Sequence, residues 1–398
     1  MAFLYLRTGA DPGVTDISTV PQTEVPADAS AGGQQTAETT GSAGDAETVM
    51  PREETGEDPA SLPTDALTQA GWQKRINEAV PAIDCWGDSI TEGYLGDGES
   101  FPQTLAALID EELIEPIRKT SGFSGLKAPI VRNMGVSTET VPEIAGRRGA
   151  IPFVMSEDIV IPADTAAVEC PFVSSDRGQT TKPLRKGDGK YGGNGINPVR
   201  IAGVEGELIR YYDVEADFSR YRFARSVPGK EMPVPAGEAV ITDAAGKYAD
   251  DLCVVLMGAN GGYEDTANLV GQFAAMAGMQ REERFLLIGM GHRPENNGLL
   301  SAEEKQALAG AFGDRFLSLQ DWMAAYGIDC ANHEFAAGIV PTAEDERRVR
   351  AGVTPSSLLN EDDLHYTPTG YRVIGYMVFA EMDSRGYFDG LKALAGGS

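Results

Sequence analysis

Apolar residues recur along this chain in two rhythms. Continuous apolar runs of strand length occupy 80–86 (VPAIDCW), 251–257 (DLCVVLM) and 284–290 (RFLLIGM), with a shorter one at 129–133. Stretches with helical periodicity lie between and around them, at 67–79, 102–119, 302–313 and 369–383. In 102–119, Leu105, Leu108, Ile109 and Leu113 share one helix face. Short, fully apolar strands alternating with helices predict an α/β domain, its parallel sheet covered on both faces.

Two segments depart from that rhythm. From 152 to 248 the pattern becomes short and β-like, at 158–161, 199–204, 207–212, 221–224 and 239–242, punctuated by Gly, Pro and Asp. This predicts a β-rich insertion that splits the α/β domain into 67–151 and 249–398. Residues 1–66 carry 12 acidic side chains against two arginines, and no aromatic residue occurs in 8–66. Such a stretch cannot bury enough apolar surface to offset chain entropy, so it reads as a disordered acidic linker or stalk. A stalk ahead of a globular domain points to an extracellular or cell-surface location. The apolar start, residues 1–6, reads equally as the remnant of an export signal or anchor and as a frayed terminus.

Composition narrows the function. The chain has 398 residues, 42% hydrophobic and 23% charged, which suits a soluble globular protein. Sixty acidic against 33 basic residues give a formal charge of −27. Phosphate backbones and anionic membrane surfaces are repelled by such a chain, which argues against nucleic acid as a partner. No apolar run approaches the roughly 18–20 residues of a membrane span. Cys85, Cys170, Cys253 and Cys330 form no CxxC pair, and Cys85 and Cys253 fall inside strand-like runs, where buried free thiols are expected.

The densest chemical signal is Trp86-Gly87-Asp88-Ser89-Ile90-Thr91-Glu92-Gly93, where a buried strand gives way to a loop and then a helix. Ligands of doubly wound sheets bind outside the carboxyl ends of the strands, so a serine there faces a cleft. The run is not the G-x-S-x-G elbow, because Thr91 stands at the second glycine position. A serine nucleophile needs a base, and only His292, His333 and His365 are available. His365 lies just before the last helix. Asp362, three residues earlier, is spaced to meet the imidazole across one turn; Asp363 reads as its solvated neighbour.

These residues resemble the SGNH/GDSL hydrolase superfamily, serine esterases on a three-layer flavodoxin-like α/β/α fold. Gly87-Asp88-Ser89-Ile90 matches its first block and Asp362-Asp363-Leu364-His365 its last. Asn133 to Thr140 is similar to the second block, and Gly258-Ala259-Asn260 to the third, where Gly261 replaces an aspartate. The resemblance covers roughly 80–150 and 250–385. It implies a Ser89–His365–Asp362 triad and an oxyanion hole made by the Ser89 and Thr138 N–H groups and the Asn260 amide. The family's oxyanion glycine falls at Thr138, which leaves Gly135 as the alternative donor. Asp88 joins Gly135 and His292 as a candidate substrate-binding residue. No cofactor or metal is implied. The implied reaction is hydrolysis of carboxylic esters, with short acyl groups on an acetylated polysaccharide as the expected substrate. The alternatives are a lipase or lysophospholipase of the same fold, and a non-catalytic surface module that binds glycans.

Other features carry blander readings. Residues 187–192 match G-x-G-x-x-G, but without a preceding strand or following helix they read as a loop. His333-Glu334 lacks the second histidine of a zinc helix. His292 is a substrate contact or, more simply, a structural loop histidine. Arg147-Arg148 reads as a solvated pair or an anchor for the insertion before it reads as a substrate contact. Tyr211, Tyr212, Tyr221 and Phe223 suit a strand core better than sugar stacking, and Glu92 suits a first-turn carboxylate better than an acid catalyst.

Overall fold

The computed structural model describes residues 68–183, 195–213, 218–292 and 298–396. The chain divides into a unit Met1–Asp58 and a unit Pro59–Ser398. The acidic segment 1–66 and the glycine-rich 187–192 lie outside the described residues.

Five parallel strands form the central sheet: β1 (Ala82–Gly87), β2 (Ile130–Gly135), β3 (Leu252–Met257), β4 (Phe285–Gly289) and β5 (Phe316–Ser318), in the order β5-β4-β3-β1-β2. Alternation along β3 explains the covering. Leu252, Val254 and Leu256 join one core, and Cys253, Val255 and Met257 the other. The first core is closed by helices Gln69–Ala79, Phe101–Ile109, Leu319–Phe335, Pro368–Ser384 and Asp389–Gly396. The second is closed by Val141–Arg148, Thr266–Ala277 and Ala302–Phe312. The chain is thus mixed α/β, built on a five-stranded parallel sheet.

The predicted helix 102–119 is interrupted. A π turn, Asp110–Ile114, separates Phe101–Ile109 from Glu115–Ser121. Pro116 supplies the reason: its ring lacks an N–H and crowds the preceding turn, which widens to accommodate it.

Residues 153–241 contain a seven-stranded sheet, antiparallel throughout. Its order is 168–169, 218–225, 204–213, 199–201, 239–241, 153–155 and 172–174. The predicted strand 199–204 is instead a strand and the start of the next. Ala202 and Gly203 turn the chain with φ of 47° and 77°, the positive pair that matches a tight hairpin's twist. Tyr221 and Phe223 are buried in this sheet's own core with Phe153 and Leu208. Tyr211 is tied at its hydroxyl to Glu169 (2.7 Å) and covered by Arg222, 4.2 Å from the ring centre. The Tyr212 side chain lies outside the described residues. The insertion meets the α/β body through Lys182 N–H on Glu143 (2.6 Å) and Arg177 on Glu264 (2.5 Å). All four cysteines are buried and unpaired.

Candidate active site

The turn that carries Ser89 begins where β1 runs out of room for side chains. A Cβ at Gly87 would sit 2.1 Å from Thr91 Oγ1 and 2.5 Å from the Leu256 carbonyl oxygen of β3, so only glycine fits. Asp88 then caps the four-residue helix Ser89–Glu92, its Oδ1 accepting the Ile90 N–H at 2.9 Å. This lifts Ser89 to the carboxyl edge of the sheet, 6% exposed.

His365 Nε2 lies 2.8 Å from Ser89 Oγ, and His365 Nδ1 lies 2.5 Å from Asp362 Oδ2. The other Asp362 oxygen accepts the backbone N–H groups of Leu364 (3.1 Å) and His365 (2.9 Å). Burial pushes this carboxyl up, but the hydrogen bonds from the His365 ring and from the two N–H groups outweigh it. The net effect holds Asp362 below the usual carboxylate range and ionised. Asp363 is a half-exposed neighbour, as expected, and its carboxylate is also paired. With φ 55° it turns away and pairs with Arg348 at 2.6 Å, while Arg348 also donates to the Thr354 carbonyl (2.6 Å).

The resemblance expects three oxyanion donors: the Ser89 and Thr138 N–H groups and the Asn260 amide. The N–H groups of Ser89 and Thr138 donate to no protein group among the described residues. Thr138 stands where the resemblance expects glycine, and it adopts glycine's conformation, φ 69°. The Asn260 amide donates to the Glu139 carbonyl at 3.0 Å and approaches Asp88 Oδ2 at 3.5 Å. Gly135 does not serve as the alternative donor, because its N–H is committed to Asn133 Oδ1 at 3.0 Å. Gly135 instead lets β2 approach the helix Ser89–Glu92; a Cβ there would meet Glu92 N at 2.1 Å.

The loop carrying Thr138 is clamped on both sides. Glu92 accepts the Ser137 N–H at 2.7 Å and bonds the Ser137 hydroxyl. Glu139, fully buried, pairs with the equally buried Arg147 at 2.8 Å. Arg147 also donates to the Met134 carbonyl (2.8 Å) and lies over the Trp86 ring at 4.9 Å. The reading of Arg147-Arg148 as a solvated pair is therefore corrected. Both are buried against Trp86, because the indole face gives the guanidinium groups a cation–π partner. The insertion does reach this helix, through the Thr242 hydroxyl on the Arg147 carbonyl (2.9 Å).

His292 follows β4 and its ring packs over Gly261. A Cβ at Gly261 (φ 66°) would lie 2.7–2.9 Å from three atoms of that ring, so the imidazole fills the space an aspartate would need. The His292 N–H donates to the Tyr263 hydroxyl at 3.2 Å. Asp88 is fully buried. Its carboxyl is pushed up to about 7 by burial first and by the Glu139 charge, against the Ile90 hydrogen bond. Among the described residues no cluster of three His, Cys, Asp or Glu is placed to hold a metal ion, and no helix is long and apolar enough to cross a membrane.

The sequence reading did not single out Glu139, Arg348 or Tyr94. Glu139 and Arg147 stand eight residues apart across a helix start, a spacing with no motif of its own. Tyr94 packs edge-on against His365, ring centres 4.8 Å apart. Comparison with family models, curated proteins and solved structures gives no match. The functional reading rests on these residues and their geometry.

Proposed function

We propose that this chain is a serine esterase of the SGNH type, on a three-layer flavodoxin-like α/β/α fold, that cleaves carboxylic esters through an acyl-enzyme. The observation that carries the reading is the chain Ser89–His365–Asp362, joined at 2.8 and 2.5 Å. The strand order, read from the other edge as 2-1-3-4-5, is that of flavodoxin-like sheets and supports the fold.

In the first step Ser89 Oγ bonds to the ester carbonyl carbon while its proton passes to His365 Nε2. The carbonyl π electrons move onto oxygen, which turns toward the N–H groups of Ser89 and Thr138 and the Asn260 amide. One such donor is worth about 2.7–4 kcal/mol in serine hydrolases. The C–O bond to the alcohol then breaks as His365 returns the proton to the departing oxygen. Water, deprotonated by His365, repeats the sequence and frees the acid and Ser89. Asp362 holds the imidazole tautomer and balances its transient charge.

The substrate class is a short acyl group, acetyl, on a carbohydrate outside the cell or at its surface. The stalk-like composition of 1–66, the accessory β-sheet and the charge of −27 support this over a lipid or a nucleic acid. The test is hydrolysis of p-nitrophenyl acetate, butyrate and decanoate by wild type, Ser89→Ala and His365→Ala. Short-ester activity lost in both variants is expected. Activity only on decanoate favours the lipase, and none in wild type favours a non-catalytic module.

A further inference from the structure

A tetrahedral centre on Ser89 sorts the substrate's substituents by direction. The oxyanion faces the Ser89, Thr138 and Asn260 donors. The departing oxygen lies within reach of His365 Nε2, because that nitrogen must return the proton. The alcohol therefore leaves over the His365 side of the cleft.

That side is bordered by the turn after the nucleophile helix. The Tyr94 ring stands at 68° to the His365 ring and is 46% exposed, and Leu95 beside it is 45% exposed. Among the described residues, the other exposed large apolar side chains lie elsewhere: in the insertion, at the start of β2, or between 326 and 349. The turn is held rigidly. The Tyr371 hydroxyl donates to the Tyr94 carbonyl at 2.7 Å, and the Asn360 amide donates to the Leu95 carbonyl at 3.1 Å. Leu95 and Asp97 have φ of 60° and 50°, a left-handed conformation that is unfavourable for residues with a Cβ. Backbone in that region persists where its surroundings fix it, and such strain gathers at ligand-binding sites.

We propose that Tyr94, with Leu95, forms the subsite for the ester's alcohol and stacks a pyranose ring there. The inference rests on the esterase reading and adds to it the group that recognises the sugar. A pyranose offers an apolar C–H face to an aromatic ring and hydroxyls to a polar rim. Candidates for that rim are Asp97 and Glu99 of the same loop, the latter paired with Arg372 at 2.6 Å, and Asn360, which is bonded to the Leu95 carbonyl. A long alkyl alcohol needs a continuous apolar groove, which two side chains do not supply.

The experiment holds the acyl group constant. Values of kcat/KM are measured for a methyl tri-O-acetyl-xylopyranoside, ethyl acetate and decyl acetate with the full chain, Tyr94→Ala and Tyr94→Trp. Ser89→Ala is the control. Tyr94→Ala is expected to lower the sugar-to-ethyl ratio about tenfold, chiefly through KM, and Tyr94→Trp to keep it within about threefold. An unchanged ratio, with both esters losing equally, overturns the subsite, because Tyr94 would then act only by supporting His365. A loss on decyl acetate as large as on the sugar overturns the carbohydrate assignment. A wild type that hydrolyses ethyl acetate in a Ser89-dependent way, without preference for the sugar, also overturns it while leaving the esterase intact. No Ser89-dependent hydrolysis of any of the three removes both.

Discussion

Glu92 and Ser137 are joined by a 2.7 Å hydrogen bond from backbone N–H to carboxylate, reinforced by the Ser137 hydroxyl. Glu92 belongs to the helix that starts at Ser89 and Ser137 to the loop that presents Thr138, so one side chain sets the spacing between Ser89 and Thr138, the proposed nucleophile and oxyanion donor. On the other side of Thr138, the buried Glu139–Arg147 pair fixes the loop to Trp86 and β2. The positive φ of Thr138, unfavourable for a residue with a Cβ, is held between these two carboxylates.

Loosening that clamp should cost catalysis more than binding. Glu92→Ala is expected to lower kcat on p-nitrophenyl acetate roughly ten- to a hundredfold, less than the ~10²–10³ of deleting a donor outright. KM should stay within about threefold. In a Thr138→Gly background the same change should cost less, because glycine takes the positive φ without strain. A loss carried by KM alone, or one indifferent to the background, would contradict the clamp.

The two adjacent aspartates make opposite predictions. Asp362→Asn keeps the shape but permits the wrong imidazole tautomer, and kcat should fall by about 10⁴. Asp363→Asn removes only the pairing with Arg348 and should leave kcat within about tenfold. Steady-state kinetics of the two variants decide the assignment, and the reverse order would refute it.

Restoring the aspartate that the family resemblance expects at 261 should harm this chain. Gly261→Asp puts a Cβ into the His292 ring and strains a φ of 66°, with an expected loss of roughly 1–3 kcal/mol in stability and of most activity. Adding His292→Ala makes the space and should recover part of the stability. Urea unfolding of the single and double variants measures this. No recovery would mean that the backbone conformation alone excludes the side chain.

Asp88 gives a pH signature. Its carboxyl titrates at about 7 when folded, against an ordinary 3.8. Between these values the folded chain holds a proton that the unfolded chain has released, so its contribution to stability falls as pH rises from about 4 to about 7. Asp88→Asn has no such proton. Wild type should therefore lose stability relative to this variant between about pH 4.5 and about pH 7, read from urea unfolding at each. A drift the other way would place the Asp88 shift in the opposite direction.

Much of the α/β body is legible in the sequence because its signals are local. Apolar runs at 251–257 and 284–290 become β3 and β4, and Gly87-Asp88-Ser89 falls at a strand end as its pattern requires. β5 was not legible, since three residues carry no period. The insertion's hairpin at Ala202-Gly203 was hidden because Ala-Gly lacks the Asn-Gly or Asp-Gly signature of a two-residue turn. His365 could be picked out because the chain has only three histidines, and Ser89 and Asp362 because they fall in the short blocks that carry the family resemblance. Glu92, Glu139, Arg147 and Arg348 could not, because they act by pairing across elements. A carboxylate buried against a guanidinium reads in sequence like any solvated charge.

The central claim is that Ser89 is a nucleophile activated by His365. It is tested most directly by treating the full chain with a fluorophosphonate and locating the adduct by mass spectrometry. Stoichiometric modification of Ser89, slowed at least about a hundredfold by His365→Ala, is predicted. Modification at another residue, or labelling of Ser89 at an equal rate without the imidazole, would contradict the account.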